Sequence, residues 1–104
     1  MTEPFHVVRV PASSANLGPG FDALGLALDV FLECWFRRAE ALSIRVAGRD
    51  ADSISTGADN LIWETARGQG TGAIELEIIN AIPVGKGLGS SAAAITAGVV
   101  IGPR

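Results

Sequence analysis

The sequence predicts a small α+β domain in which a mostly antiparallel sheet carries helices on one face. Its 104 residues suffice for one small domain. Several segments alternate between apolar and polar residues, a period that is typical of strands, and two others read as helices. Glu75 and Glu77 lie on one face of the last alternating segment, and a sheet with one wet face is typically antiparallel. Short strands combined with two helices therefore indicate the α+β class.

The first two strands are expected on either side of a polar, glycine-rich loop. A β-rich valine run at 7–10 ends at Pro11, and the loop covers Ala12 to Asp22. Residues 30–37 then alternate, so that one face of a second strand is apolar. That face is formed by Val30, Leu32, Cys34 and Phe36.

A short strand and a short helix are expected next. Residues 43–47 alternate, with Ile44 and Val46 on one face. Asp59 or Asn60 can cap a helix because either side chain can accept hydrogen bonds from the first free amides. This helix would include Trp63 and end within the segment 67–72, which is rich in glycine.

The last two elements are a strand over residues 74–82 and a helix over residues 90–101. The strand places Ile74, Leu76, Ile78 and Ile82 on one face. The helix has almost no polar side, so we expect it to be buried. Gly102 and Pro103 would end it.

Composition excludes several classes of function. Hydrophobic residues make up 48% and charged residues 18% of the chain, which is typical of a globular protein. A net charge of -3 argues against nucleic acid as a partner. Cys34 is the only cysteine, so an internal disulfide is excluded and a reducing compartment is favoured; we expect Cys34 to act as a small buried hydrophobic residue.

No membrane partner is expected either. The most apolar tract, residues 92–101, is too short to cross a bilayer, which needs about 20 residues. The amino terminus also lacks the basic start and apolar stretch of a signal peptide. The sequence therefore predicts a cytoplasmic protein.

The segment PVGKGLGSSAAAI, Pro83 to Ile95, is the strongest candidate for a binding site. It joins a predicted strand to a predicted helix, with Ser90 at the helix N-cap. Glycines at 85, 87 and 89 allow the backbone to approach a ligand closely, and the free amides of a helix start attract anions. Lys86 could add a positive charge at the rim. These features predict a phosphate-binding loop, while the alternative is an ordinary N-cap after a flexible connection.

A dinucleotide-binding loop is the second interpretation of the same segment. Gly87, Gly89 and Ala92 fit the pattern G-x-G-x-x-A. That motif follows a strand of a parallel sheet, which is normally buried on both faces, whereas Glu75 and Glu77 give this strand a wet face. The Rossmann interpretation is therefore less favoured, and no Gly-Lys-Ser/Thr triplet opens the helix as in a Walker A loop.

Two motifs carry a family resemblance. PVGKGLGSSAAA resembles the second conserved motif of the galactokinase, homoserine kinase, mevalonate kinase and phosphomevalonate kinase (GHMP kinase) superfamily. VRVPASSANLGPGFDALGLAL, Val8 to Leu28, resembles the homoserine kinases in particular. The resemblance implies ATP-dependent phosphorylation of the side-chain hydroxyl of L-homoserine to O-phospho-L-homoserine, a step of threonine biosynthesis, with Mg²⁺. It also implies an α+β fold with a left-handed β-α-β crossover.

The resemblance also implies roles for individual residues. Asn16 would be a catalytic and substrate-binding residue near the reacting hydroxyl, and Asp22 would bind the homoserine amine. Asn60 would lie near the adenine, and Ser90 near Mg²⁺ as well as the phosphates. The remaining ATP-binding residues would be Pro83, Val84, Gly85, Lys86, Gly87, Leu88, Gly89, Ser91, Ala92 and Ala93.

By this resemblance, residues 1–104 are expected to form an incomplete N-terminal, ATP-binding domain. The family's magnesium-binding glutamate and its C-terminal domain would lie beyond Arg104, and we expect the chain alone to lack activity. A non-catalytic protein that only binds nucleotide is the alternative function. The oligomeric state stays open.

Overall fold

The computed structural model describes residues 4–13, 27–84 and 90–102, and the side chains of residues 13 and 27–29 are left out of the description. In chain order its elements are strands β1 (His6–Ser13), β2 (Ala27–Arg38) and β3 (Ser43–Gly48), a 3₁₀ turn (Ala51–Ser53), helix α1 (Leu61–Gly68), strand β4 (Ile74–Asn80) and helix α2 (Ser90–Ile101). The α+β class predicted from the sequence is confirmed.

The described strands form one mixed sheet in the order β1-β2-β4-β3. β2 pairs antiparallel with β1 and with β4. β3 pairs parallel with β4, so β3, α1 and β4 form a β-α-β unit. The sheet is thus mostly antiparallel, as predicted. The alternating patterns did not predict its parallel edge pair, which agrees with the β-α-β crossover that the family resemblance implies. The left-handedness of the crossover stays a prediction.

Strand β1 does not end at Pro11, contrary to the sequence-based expectation. Pro11 pairs with Phe31, and the pairing resumes at Ser13 with Ala27 after a shift of register. β1 lies at the edge of the sheet, where a residue without an N–H group can be accommodated because its outer side has no strand to bond. The strand therefore continues through the proline.

The two faces of the sheet differ as the alternating patterns predicted. Leu32, Cys34 and Phe36 of β2 point into the hydrophobic core. On the other face, charged pairs cross neighbouring strands: the nitrogen–oxygen distances are 3.5 Å for Arg9–Glu33, 2.9 Å for Arg37–Glu75 and 3.6 Å for Arg45–Glu77. These pairs keep the outer face polar, and partly exposed pairs of this kind contribute little to stability.

Cys34 is a packing residue, as predicted. Its side chain is fully buried. Burial raises the pKa of the Cys34 thiol to about 12, and the negative charge of Glu33 adds to the increase. A thiol with such a pKa stays protonated at neutral pH and behaves as a small apolar group.

The two helices cover one face of the sheet. α2 lies against β1 and β2, and α1 packs against α2. The helices approach closely at Gly98, where an added Cβ would lie 2.5 Å from the Cβ of Thr65 and 2.7 Å from the carbonyl oxygen of Ile62. Only a residue without a side chain fits this crossing.

The expectation that α2 is buried on all sides is wrong. Its buried residues are Ala93, Ala97, Gly98 and Ile101, which form one face. Ile95, Val99 and Val100 are each nearly half exposed. The sequence of a helix with no polar side does not indicate which side is covered, because hydropathy is then similar on all sides of the helix. Within the described ranges, no helix has the length and apolar character needed to cross a membrane.

Candidate functional site

A cleft of about 280 Å³ lies where the two helices begin. The start of α1 contributes Asp59 to Ile62, and the first turns of α2 contribute Ser90, Ser91 and Ala94. The floor and remaining walls come from the sheet and from the loops that leave it: Leu32, Ser53, Ile54, Ser55, Ile78, Asn80 and Val84. The cleft therefore combines an apolar floor with polar groups at two helix starts.

Asn60 shapes the wall of the cleft at the start of α1. Its Oδ1 accepts hydrogen bonds from the amides of Ile62 and Trp63, at 2.9 and 3.1 Å. Its Nδ2 donates to the carbonyl oxygen of Ser55 at 2.7 Å. The predicted helix cap is thus confirmed. Three of the four hydrogen bonds available to an amide side chain are made within the protein, so Asn60 fixes the wall rather than offering a free amide.

A short polar turn closes the rim beside Asn60. The Ser55 hydroxyl donates to the Asp59 carboxylate and accepts from the amide of Gly57 at 3.0 Å. The amide of Asn60 donates to the carbonyl oxygen of Gly57 at 3.0 Å. These bonds fold residues 55–60 into a turn before α1 and hold the Asp59 side chain at the edge of the cleft.

The start of α2 is the part of the described cleft that best suits an anion. Ser90 and Ser91 are the first two residues of the helix, and both line the cleft. The first amides of a helix have no partners within the helix, and its dipole leaves partial positive charge there. Hydroxyl groups at the same end add donors. Since α1 also begins at this cleft, two helix dipoles present their positive ends to it.

The structure brings together four of the predicted ATP-binding residues. Asn60, Val84, Ser90 and Ser91 all line the cleft, although Asn60 is separated in sequence from the other three. This convergence could not be read from spacing alone, since it depends on how α1 packs beside α2.

The other predicted site residues divide into two groups. Pro83 precedes Val84 at the cleft, Ala92 is exposed on α2 and Ala93 is buried in the core. Outside the described residues lie Asn16, Asp22, Gly85, Lys86, Gly87, Leu88 and Gly89. The roles implied for these residues stay predictions.

Magnesium binding rests on Ser90 alone among the described residues. Across 4–13, 27–84 and 90–102, the side chains of His, Cys, Asp and Glu nowhere gather into a group of three that could hold a metal ion. A serine hydroxyl is an oxygen ligand of the kind that Mg²⁺ accepts. The predicted role of Ser90 at the metal is chemically suitable and stays a prediction.

Sequence analysis missed two polar residues beside the cleft. Asn80 lies in the apolar register of β4 and is only 4% exposed; a polar residue in that register was a signal that could have been noticed. Asp50 accepts a hydrogen bond from the amide of Val84 at 2.9 Å, across 34 residues of sequence. No local sequence pattern predicts a contact between residues so far apart in the chain.

Comparison with known proteins identifies relatives of this chain. Residues 53–102 match the family described as GHMP kinases N terminal domain. A homoserine kinase from Solibacter usitatus is 65% identical over 103 residues, which cover 93% of this chain and 34% of the relative. The chain therefore spans about a third of the length of this curated relative.

Solved structures show the same correspondence. The fold matches a chain from Listeria monocytogenes with a TM-score of 0.72 and 39% identity, covering 91% of this chain and 35% of that one. It matches the homoserine kinase from Cytophaga hutchinsonii with a TM-score of 0.64 and 26% identity, covering 96% and 35%. Both matches cover nearly the whole of this chain and about a third of the matched chain.

Proposed function

We propose, from the match of residues 53–102 to the GHMP kinases N terminal domain, that this chain belongs to that family and that its cleft binds ATP together with Mg²⁺. We further propose that the protein serves the transfer of the terminal phosphoryl group to the side-chain hydroxyl of L-homoserine. The observation that carries the proposal is the convergence of two helix starts, with Ser90 and Ser91, at one cleft with an apolar floor.

The chemistry of the cleft suits a nucleotide. Phosphoryl transfer depends mainly on positioning and on neutralising the charge of the phosphates. Free helix amides and serine hydroxyls are donors for phosphate oxygens, and the apolar floor at Leu32 and Ile78 suits a flat base. The sequence Gly85–Gly89 connects Val84 to Ser90, so its backbone belongs to the same proposed site.

The proposed Mg²⁺ would be held by Ser90 and the phosphates, together with the glutamate that the family resemblance implies after the second motif. When bound, the ion would neutralise phosphate charge and orient the terminal phosphoryl group. The residues of this chain bind and orient the nucleotide. Asn16 would orient the attacking hydroxyl, and Asp22 would form a charge-assisted hydrogen bond with the substrate ammonium group.

Nucleotide binding is tested by thermal unfolding and by calorimetric titration with Mg-ATP. At ten times the dissociation constant, a ligand bound only to the folded state adds about 1.4 kcal/mol of stability, which raises Tm by about 5–10 °C in a domain of this size. Ser91→Ala should weaken binding, whereas Thr96→Ala, on an exposed position of the same helix, should not. Equal Tm values in Mg-ATP and in buffer brought to the same ionic strength with sodium chloride would contradict the proposal.

Homoserine phosphorylation is tested in a chimera in which this chain replaces the matching third of the Solibacter usitatus relative. Asp22→Asn should lower kcat/KM for L-homoserine about ten- to a hundredfold, because a charge-assisted bond worth about 1.5–3 kcal/mol is lost. KM for ATP should change little. Asn16→Ala should act mainly on kcat, since a misplaced hydroxyl reacts slowly.

Asp52→Asn is the matched control, because it removes the same charge at an exposed position of the 3₁₀ turn. A folded chimera that binds Mg-ATP but forms no O-phospho-L-homoserine would favour the non-catalytic, nucleotide-binding alternative.

A further inference from the structure

The parallel strands β3 and β4 end side by side, and the backbones that leave them are bonded together. Gly48 at the end of β3 pairs with Asn80 at the end of β4. The amide of Arg49 donates to the carbonyl oxygen of Asn80 at 2.6 Å. Gly48 has a φ of +94°, and an added Cβ there would collide with the backbone of Asn80. The turn after β3 thus lies directly against the segment that leads from β4 to the cleft.

Asn80 bonds these two segments through its side chain. Its Nδ2 donates to the carbonyl oxygens of Arg49 and Ile82, both at 2.8 Å. Its Oδ1 accepts from the amide of Ile82 at 3.0 Å. The side chain is 4% exposed, and buried hydrogen bonds of this kind specify one backbone arrangement, because breaking any of them leaves a polar group unpaired.

Asp50 adds a second connection one step closer to the cleft. It precedes the 3₁₀ turn, yet its side chain makes no capping bond there. Its Oδ2 instead accepts from the amide of Val84 at 2.9 Å, and Val84 lines the cleft. Asp50 has a φ of 53°, in the left-handed region that glycine adopts more readily than other residues. Among the described residues, the Val84 amide is the hydrogen-bond partner of the Asp50 carboxylate.

We infer that Asp50 and Asn80 are positioning residues that hold the segment Ile82–Val84 in place before the nucleotide binds. The inference rests on the proposed function, because Val84 leads in sequence to Gly85–Ser90, the proposed phosphate-binding segment. Because Ile82–Val84 is already held in place, less conformational freedom is lost when a nucleotide binds beside it, so the anchor increases affinity without touching the ligand. Asp50 serves through the Val84 amide and is not a phosphate ligand, since its own charge would repel one.

The experiment measures Mg-ATP affinity by calorimetry in this chain for four variants at Asp50 and a neighbour. Asp50→Asn keeps an oxygen that can accept from Val84, whereas Asp50→Ala and Asp50→Gly remove the acceptor. We expect about a tenfold increase in Kd for Asp50→Ala and Asp50→Gly, which corresponds to the roughly 1.4 kcal/mol of one net hydrogen bond. Asp50→Asn should stay within about threefold of the wild type. Asp52→Ala, which removes the same charge two residues away, should leave Kd unchanged.

Asp50→Gly separates positioning from stability. Glycine adopts a positive φ without strain, so this variant should keep or raise the Tm while it still loses affinity. If Asp50 only stabilised the fold, the affinity of the variants for Mg-ATP would fall in the same order as their Tm values. Equal Kd values for Asp50→Asn and Asp50→Gly would overturn the inference.

Hydrogen exchange of the Val84 amide without nucleotide distinguishes this inference from the proposed function. The amide should be protected in the wild type and in Asp50→Asn, and exchange about tenfold faster in Asp50→Ala and Asp50→Gly. An unprotected Val84 amide in the wild type would overturn the inference whatever the affinity for ATP. The Val84 amide could be protected only when residue 50 carries an acceptor, in a chain that does not bind Mg-ATP. That result would support the anchoring and contradict the proposed function.

Discussion

The helices α1 and α2 both begin at the cleft, but their sequences specify their packing in different ways. In α1 the buried residues are Ile62, Trp63 and Ala66, while Glu64 and Arg67 are exposed. The polar residues alone show which face is covered. The orientation of α1 therefore follows from its own sequence.

In α2 several small residues are buried, whereas three large apolar residues are exposed. Ala93, Ala97 and Gly98 face the core, whereas Ile95 and Val99 are nearly half exposed. The reason is the close crossing at Gly98, where the backbone of α1 comes within 2.7 Å of the position a Cβ would take. The close contact at Gly98, rather than hydropathy, shows which side of α2 meets α1.

The strongest test of this difference between the helices is to add a side chain at Gly98, where they cross. Gly98→Ala should lower the free energy of unfolding by about 1–3 kcal/mol, because the new methyl group meets a carbonyl oxygen and the Thr65 side chain. Gly98→Val should cost more than Gly98→Ala. Urea unfolding followed by circular dichroism measures the change.

Gly68 provides the control at the end of α1, because an added Cβ there meets no atom within 4 Å. Gly68→Ala should stabilise the chain by up to about 1 kcal/mol, since alanine restricts the unfolded chain and favours the helix. Equal urea midpoints for Gly98→Ala and the wild type would show that the helices do not cross this closely.

The second test removes the polar signal that orients α1. Asn60→Ala should lower the free energy of unfolding by about 1–2 kcal/mol, the usual cost of a lost N-cap, because the amides of Ile62 and Trp63 lose their acceptor. Asn60→Ser keeps a capping oxygen and loses the bond to Ser55, so it should cost less. Urea midpoints that rank serine below alanine would contradict the capping role.

The smallest effect is expected on the exposed face of α2. Val99→Ser should change the free energy of unfolding by no more than about 0.5 kcal/mol, as is usual for exposed positions. Ala97→Ser is the matched change on the buried face of the same helix, and it should cost about 1–3 kcal/mol because the hydroxyl is buried without a partner. If the two variants cost the same in urea unfolding of this chain, both faces of α2 are covered in solution.

Most of the strand pattern could be predicted because it depends on neighbouring residues. The inward residues of β2 and β4 follow a period of two, and Ile74, Leu76 and Ile78 of β4 are buried as predicted. Ile82 is buried too, but it lies beyond the end of β4 at Asn80, so the strand is shorter than predicted. The pairing of the strands could not be predicted in the same way. The order β1-β2-β4-β3 and the parallel pair of β3 with β4 depend on contacts between distant segments, which leave no mark on local periodicity.

The candidate site likewise has features that could be predicted from the sequence and features that could not. The glycine-rich segment, the serines at the start of α2 and the cap at Asn60 are recognisable from the sequence, because each is a local backbone requirement. Asn80 gave a weak signal as a polar residue in an apolar register. The bond between Asp50 and Val84 joins residues 34 positions apart, and only the folded chain brings them together.

The sequence by itself therefore determined the elements of this protein, their order and the chemistry available at the start of α2. Tertiary structure decided which helix starts meet at one cleft, which face of α2 is covered and what anchors the segment before the glycines. The physical reason is the range of the interactions. Periodicity, capping and backbone freedom act within a few residues, whereas close packing at Gly98 and the bond from Val84 to Asp50 exist only after distant segments have been brought into contact.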